Sequence, residues 1–186
     1  MPPFSMQAPD EEEKWFVMRD LSRANTHTPA WRRLSDEGFE VYTPTITQLT
    51  VRQGRRIRET RAVIHDLLFV RSSRTRLDPQ VAQTPTLQYR YGRGLGYCVP
   101  MTVRDADMQR FIRAVSLSEN PVYYLPSELT PDMIGRRVRI IGGPMDGYEG
   151  SLLKMRGSRR RRLLVTLDSL LTLAVEISPD FITLLP

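Results

Sequence analysis

Few side chains in this sequence could do covalent or proton chemistry. His65 stands beside Asp66, an adjacency able to pass a proton, while His27 and Cys98 are isolated. Acid–base or nucleophilic catalysis needs a base within hydrogen-bond reach of the group it activates. No nucleophile elbow, P-loop or His beside a plausible nucleophile occurs in the chain, so His65-Asp66 reads as a surface turn and no enzyme activity is expected. One Cys and two distant His do not make a structural zinc site, and no loop has the ligand spacing of Mg²⁺ or Ca²⁺. Neither a metal nor a cofactor is expected, and a lone Cys allows no internal disulfide.

Arginine is what the chain carries in quantity. The formal net charge is +6, and of the 27 basic residues only Lys14 and Lys154 are lysine. Guanidinium forks suit phosphate and carboxylate, which points to nucleic acid or an acidic protein face. A GC-rich coding sequence would give the same bias, since charge composition speaks to association and not to fold. The arginines concentrate in two places. Arg52, Arg55, Arg56, Arg58 and Arg61 surround Gln53-Gly54, and Arg159, Arg160, Arg161 and Arg162 form a run. The first cluster reads equally as a solvated hairpin tip and as a binding surface, and the second somewhat more as a solvated loop than as a surface for RNA or an acidic protein.

The elements that must position these residues begin near Lys14. A length of 186 residues allows one medium domain or two small ones, and 40% hydrophobic with 26% charged residues is globular composition. No apolar run approaches the roughly 20 residues of a membrane span, and the acidic, Pro-containing start is unlike a signal peptide. A cytoplasmic protein is expected. Residues 1–13 read as a flexible tail. Trp15-Phe16-Val17-Met18 reads as a buried strand. A helix should follow, with Thr28 as N-cap, Pro29 at its first position, Trp31 and Leu34 on its buried face, and Gly38 just past its end.

From Phe39 the pattern turns to strand: Phe39, Val41 and Tyr42 before Pro44, then Ile46, Leu49 and Val51. Gln53-Gly54 suits a hairpin tip, because glycine takes the positive φ of a tight turn. Leu67 to Val70 reads as a central strand and Gln88 to Tyr91 as a weaker one. Thr102 and Asp105 resemble a capping box for a second helix, whose Met108, Phe111, Ile112 and Val115 form a core stripe. Two helices among long sheet-patterned runs give an α+β sandwich rather than a doubly wound fold.

Pro121 to Pro131 holds three prolines and should resist helix and sheet, which makes it the domain boundary. Beyond it, short apolar runs at Val138–Ile141, Gly150–Leu153, Leu163–Leu167 and Leu170–Ile177 are separated by Gly-rich, Arg-rich and Asp-Ser turns. Short strands in about 55 residues suit a small barrel that closes its own edges. The expected division is a tail over 1–13, a first domain over 14–120, a linker over 121–131 and a barrel over 132–186.

Gly135, Val138, Ile140, Gly143-Pro144, Gly147, Tyr148, Glu149 and Gly150 resemble a KOW domain, a small SH3-like β-barrel. Ahead of it, several features resemble the NusG N-terminal domain, an antiparallel sheet flanked by helices. These are Lys14-Trp15-Phe16, Val41 to Pro44, the hairpin around Gly54, Leu67 to Val70, and Pro100-Met101 at the entrance to the second helix. The resemblance covers roughly Lys14 to Pro186. Within the NusG family the chain is similar to specialised paralogues such as RfaH, through Gly54 to Val70, and the UpxY antiterminators of capsule operons, through VPMTVRDADMQRFIRAV. It departs from the family at Ile64-His65-Asp66-Leu67, where the usual Phe-Pro-Gly/Asn-Tyr run is missing.

The resemblance implies a transcription elongation or antitermination factor of particular operons, such as those for polysaccharide synthesis. RNA polymerase is the implied partner, its clamp meeting an apolar surface to which Ile64, Leu67 and Phe69 correspond, with Phe16 nearby in the sheet. The hairpin arginines would meet upstream or non-template DNA. Met145, Asp146 and Tyr148, with Arg159 to Arg162, would meet nascent RNA, a ribosomal protein or Rho. In RfaH-like relatives the barrel can refold into helices, which Leu163 to Ile177 would permit on propensity. No membrane partner is expected, and the chain is expected to be a monomer. The alternative is an RNA-binding or ribosome-associated KOW module that does not bind polymerase.

Overall fold

The computed structural model describes residues 11–186 except 24, 25, 27, 93–98, 156, 158 and 159, together with all but the side chain of Arg52 within its strand. Most of the expected tail, His27, Arg159, Cys98 and the glycine run after Gly92 lie outside the described residues. The chain forms two compact units, Met1–Arg104 and Asp105–Pro186.

In the first unit the central strand is β1 (Lys14–Asp20). Its neighbours are β5 (Leu68–Ser72) on one side and β6 (Leu87–Tyr89) on the other, with β7 (Thr102–Val103) also pairing β1 and β2 (Glu40–Tyr42) beyond β5. All these pairings are antiparallel. Trp15, Phe16, Val17 and Met18 are all buried, so both faces of β1 are covered. Phe16 and Met18 face one core with Val70 and Leu68 opposite them across the ladder. Helix α1 (Ala30–Asp36) adds Ala30 and Leu34 to that core, and α2 (Arg74–Gln83) adds Leu77. Val17 and Phe69, paired with each other, lie on the opposite face.

Helix α2 is an element that sequence periodicity does not reveal. Only Leu77 is buried on it, and Pro79 lies inside it. Polar contacts compensate: Arg74 pairs with Asp78 one turn on, and the Tyr89 hydroxyl donates to Asp78 Oδ1 at 2.6 Å. Burial, then the bond to Asp78 and its negative charge, raise the Tyr89 phenol well above its ordinary range.

The strands β3 (Thr45–Arg52) and β4 (Arg55–Ala62) form a two-stranded sheet of their own. Gln53 and Gly54 both have positive φ, 49° and 75°, which gives the two-residue turn whose twist matches a hairpin. The ladder then runs unbroken from Arg52↔Arg55 to Thr45↔Ala62.

The second unit starts with α3 (Asp105–Ser116), followed by β8 (Val122–Tyr124), β9 (Ile134–Ile140), β10 (Glu149–Leu153), β11 (Arg161–Leu167), β12 (Leu171–Ile177) and β13 (Ile182–Leu184). The sheet order is β13-β9-β10-β11-β12-β8. Strands β9 to β12 follow one another as a meander and β13 returns to β9, the connectivity of a small SH3-like barrel. Gly150 is needed where β10 crosses β11, since a Cβ there would stand 2.3 Å from the Leu164 carbonyl oxygen. Helix α3 packs on β11 and β12.

Several expectations are corrected. Pro29 is the N-cap of α1 and its first residue is Ala30. Thr102 pairs with Phe16 in β7, so it cannot cap α3, which begins at Asp105. The buried stripe of α3 is Met108, Phe111 and Ala114, with Ile112 and Val115 at its margin. Among the described residues there are three α-helices rather than two. The proline-flanked Val122–Tyr124 does form a strand, because Pro121 and Pro126 lie outside it and its N–H groups remain available to β12. Among the described residues, Leu163 to Ile177 is strand on both sides of the turn at 168–170.

The α1 N-terminus has no cap of its own; Asp20 at the end of β1 provides one. Its carboxylate accepts from Ala30 N at 2.7 Å and Ser22 N at 2.9 Å, and the residue is buried. Asp20→Ala strands these donors and should cost about 1–3 kcal/mol in urea unfolding. Asp36→Ala, at the exposed end of the same helix, should stay within about 0.5 kcal/mol.

Candidate functional site

The residues expected to form one apolar polymerase surface do not share a face. Phe16 is buried in the helix-covered core, where its ring meets Tyr89 edge-on at 5.5 Å. Phe69 is buried on the other face, next to Tyr42 at 6.3 Å, and Leu67 is also buried. Ile64 is half-buried, between the exposed Val63 and His65. Of the four, Ile64 alone presents side-chain surface, while Leu67 and Phe69 support the sheet beneath.

Three neighbours clamp the turn that carries Ile64. Arg19 of β1 pairs with Asp66 at 3.1 Å. His65 Nε2 donates to the Ser22 carbonyl, and the Thr43 hydroxyl donates to the Leu67 carbonyl at 2.9 Å. His65 and Asp66 therefore fasten the turn to separate parts of the unit. This is the surface turn that the sequence suggests.

Strand alternation divides the hairpin arginines. Arg58 lies opposite Leu49 and Arg56 opposite Val51, on one face with Thr47 and Thr60. Leu49 and Val51 are 71% and 65% exposed. The other face holds Arg55, Arg61, Ile46, Ile57 and Glu59. There Glu59 receives two bonds from Arg61, at 2.8 and 3.1 Å, and offsets its charge. Among the described residues no ion pair holds Arg56 or Arg58, so the face with Leu49 and Val51 is the more open to an anion. Arg52 is placed only by its backbone pairing with Arg55.

The residues assigned to a barrel partner also separate. Met145 and Tyr148 are buried, and Asp146 is exposed with its carboxylate accepting from Gly142 N at 2.6 Å. Tyr148 is covered by α3: the Arg110 guanidinium lies 5.0 Å from its ring centre, and its hydroxyl donates to the Arg110 carbonyl at 2.9 Å. Arg110 also donates to the Glu149 carbonyl at 2.8 Å. Arg110 was missed by sequence reasoning because it sits on the polar side of the α3 stripe; no local signal marks it. Arg161 and Arg162 lie in β11 rather than in a turn, and as adjacent strand residues they face opposite ways. Arg160 pairs with Glu176 at 3.1 Å. Arg160 and Arg161 line a groove to which no residue of 145–148 contributes.

Glu149, beside that turn, accepts from Arg139 Nε at 2.8 Å. The hydrogen bond and then the charge of Arg139 hold its carboxyl below the usual glutamate range. A depressed folded pKa means that the stabilisation is present at neutral pH and is lost as pH falls through the folded value. In a carboxyl NMR titration Glu149 should therefore protonate at lower pH than an ordinary glutamate. Arg139→Gln should move its midpoint upward.

A family model described as "NusG: Transcription termination factor nusG" matches residues 13–112, more than half of the chain. No curated protein matches the sequence. Among solved structures, one described as "Domain interaction in Thermotoga maritima NusG" is similar at 18% identity. The alignment covers 92% of this chain and 96% of that one, with a TM-score of 0.47. The family match starts just ahead of β1, takes in every strand of the first unit and ends within α3. The chain belongs to the NusG family, whose members are transcription factors that bind RNA polymerase.

Proposed function

We propose that the chain is a transcription elongation and antitermination factor in the cytoplasm. In this reading residues 14–120 bind the polymerase clamp, and the KOW barrel over 132–186, joined by 121–131, binds a second partner. The family match over residues 13–112 carries the proposal. Two linked weak sites raise each other's effective concentration, so neither needs to bind tightly alone. The clamp would meet the turn at Ile64, held from beneath by Leu67 and Phe69, with Phe16 supporting the sheet from its opposite face. The altered Ile64 to Leu67 run favours a specialised factor of the RfaH or UpxY kind, serving particular operons such as those for polysaccharide synthesis. The second partner, a ribosomal protein, Rho or nascent RNA, would meet Met145, Asp146 and Tyr148 on the barrel. Tyr148 becomes available when Arg110 gives up its ring contact.

A second reading, an RNA-binding or ribosome-associated KOW module without polymerase, draws on the exposed Arg160 and Arg161 at the start of β11. Capture of core RNA polymerase by the full chain separates the two. Ile64→Asp should weaken capture about tenfold or more, as loss of an apolar contact centre does, with the thermal unfolding midpoint checking that the sheet persists. Absence of any capture by the unaltered chain would sink the proposal and leave the RNA reading.

The hairpin gives a separate test on upstream DNA with an exposed non-template strand. Each phosphate contact steepens the salt dependence of binding by about 0.9 on duplex and about 0.7 on single strand. Replacing Arg56 and Arg58 together by Ala should flatten the slope by about twice that amount, whereas Arg61→Ala should change it little. An equal effect from Arg61 would remove the assignment to one face.

A further inference from the structure

A groove of about 940 Å³ lies in the second unit among the ends of β9, β10, β11 and β13. Its apolar lining is aliphatic or thioether and includes Met133, Leu152, Met155, Ile182 and Leu184. Met155 and Leu184 are 44% and 54% exposed, far more than the residues of the neighbouring core. The rim carries Arg136, Lys154, Arg160 and Arg161 against a single acid, Asp132. Of these, Arg160 pairs with Glu176, while among the described residues no ion pair holds Arg136 or Arg161. The groove is distinct from the Met145 to Tyr148 turn, none of which lines it.

We propose that this groove binds an acidic amphipathic helix of a partner protein, with leucine-type side chains on the apolar floor and carboxylates toward Arg136, Lys154 and Arg161. An aliphatic floor with methionines adapts to apolar side chains of varied shape. The surplus of cations selects an acidic partner and repels a basic one. Nucleic acid fits less well: single strands are held on aromatic platforms, and no aromatic side chain lines this groove among the described residues. Gly135 also belongs here, since a Cβ would stand 2.8 Å from the Leu152 carbonyl oxygen and force β9 and β10 apart under the floor.

The probe is a synthetic helical peptide with Leu at i, i+3, i+4 and i+7 and Glu at the flanking positions, titrated into the full-length isotope-labelled chain. Amide shifts should centre on 134–136, 152–155 and 182–184. Reversing charge with Arg136→Glu and Arg161→Glu together should weaken binding at least about tenfold, because attraction becomes repulsion. Leu184→Asp, which leaves the cations in place, should weaken it by a similar factor, and circular dichroism checks that each variant keeps its sheet. A peptide with every Glu replaced by Lys should not bind. The proposal is overturned by equal binding of the Lys peptide, by the absence of shifts in the groove, or by a single-stranded RNA oligonucleotide shifting the groove amides while the acidic peptide does not.

Discussion

Four consecutive buried side chains, Trp15 to Met18, place a constraint on everything around them. Side chains alternate along a strand, so such a run must be covered on both faces and paired on both edges. β5 and β6 provide the edges, and α1 and α2 cover the face of Phe16 and Met18. That arrangement fixes which of these side chains reach the surface. Phe16 is committed to the interior, and Phe69, one pairing step along, is committed to the opposite face. The turn before β5 stays at the surface, where Arg19, Ser22 and Thr43 converge to hold it.

The second unit shows a related economy at Tyr148. A tyrosine at a turn offers a broad apolar ring and one polar atom, and both are engaged by α3: the ring by the Arg110 guanidinium, the hydroxyl by the Arg110 carbonyl. One residue thus supplies both of these contacts. The exposed Asp146 beside it is held by Gly142 N, a bond within the turn itself. A groove at the strand ends, by contrast, carries its apolar residues already exposed.

Much of this was legible from residue patterns, and the exceptions have physical reasons. The β1 run, the Gln53-Gly54 turn and the spacing of the KOW glycines are local signals, and local signals survive in sequence. α2 was hidden because its stability comes from contacts outside it, the Asp78–Tyr89 bond and Leu77 in the shared core. Thr102 imitates a cap because a Thr ahead of an acidic first turn looks the same whether it closes a helix or ends a strand. For the candidate surfaces, the family resemblance named positions, but position does not fix exposure. Phe16 belongs to a run whose burial the local pattern already marks, whereas Tyr148 is covered by a helix contact that no local pattern encodes.

The arginine clusters show most clearly what folding adds to composition. In sequence Arg55-Arg56-Ile57-Arg58 is one basic patch, and so is Arg160-Arg161-Arg162. In a strand, neighbours face opposite ways, so each patch is split into two half-patches with different company. Arg56 and Arg58 fall beside exposed Leu49 and Val51, while Arg61 falls beside Glu59, which offsets it. Arg161 turns toward the aliphatic groove and Arg162, opposite Glu176, turns away. The number of positive charges a flat ligand can meet on the hairpin is therefore set by strand register, not by the count of arginines. A one-residue slip of β4 against β3 would exchange the two faces while leaving the composition unchanged. The unbroken ladder from Arg52↔Arg55 to Thr45↔Ala62, pinned by the two positive-φ residues of its turn, is thus what decides which arginines share a face of the hairpin.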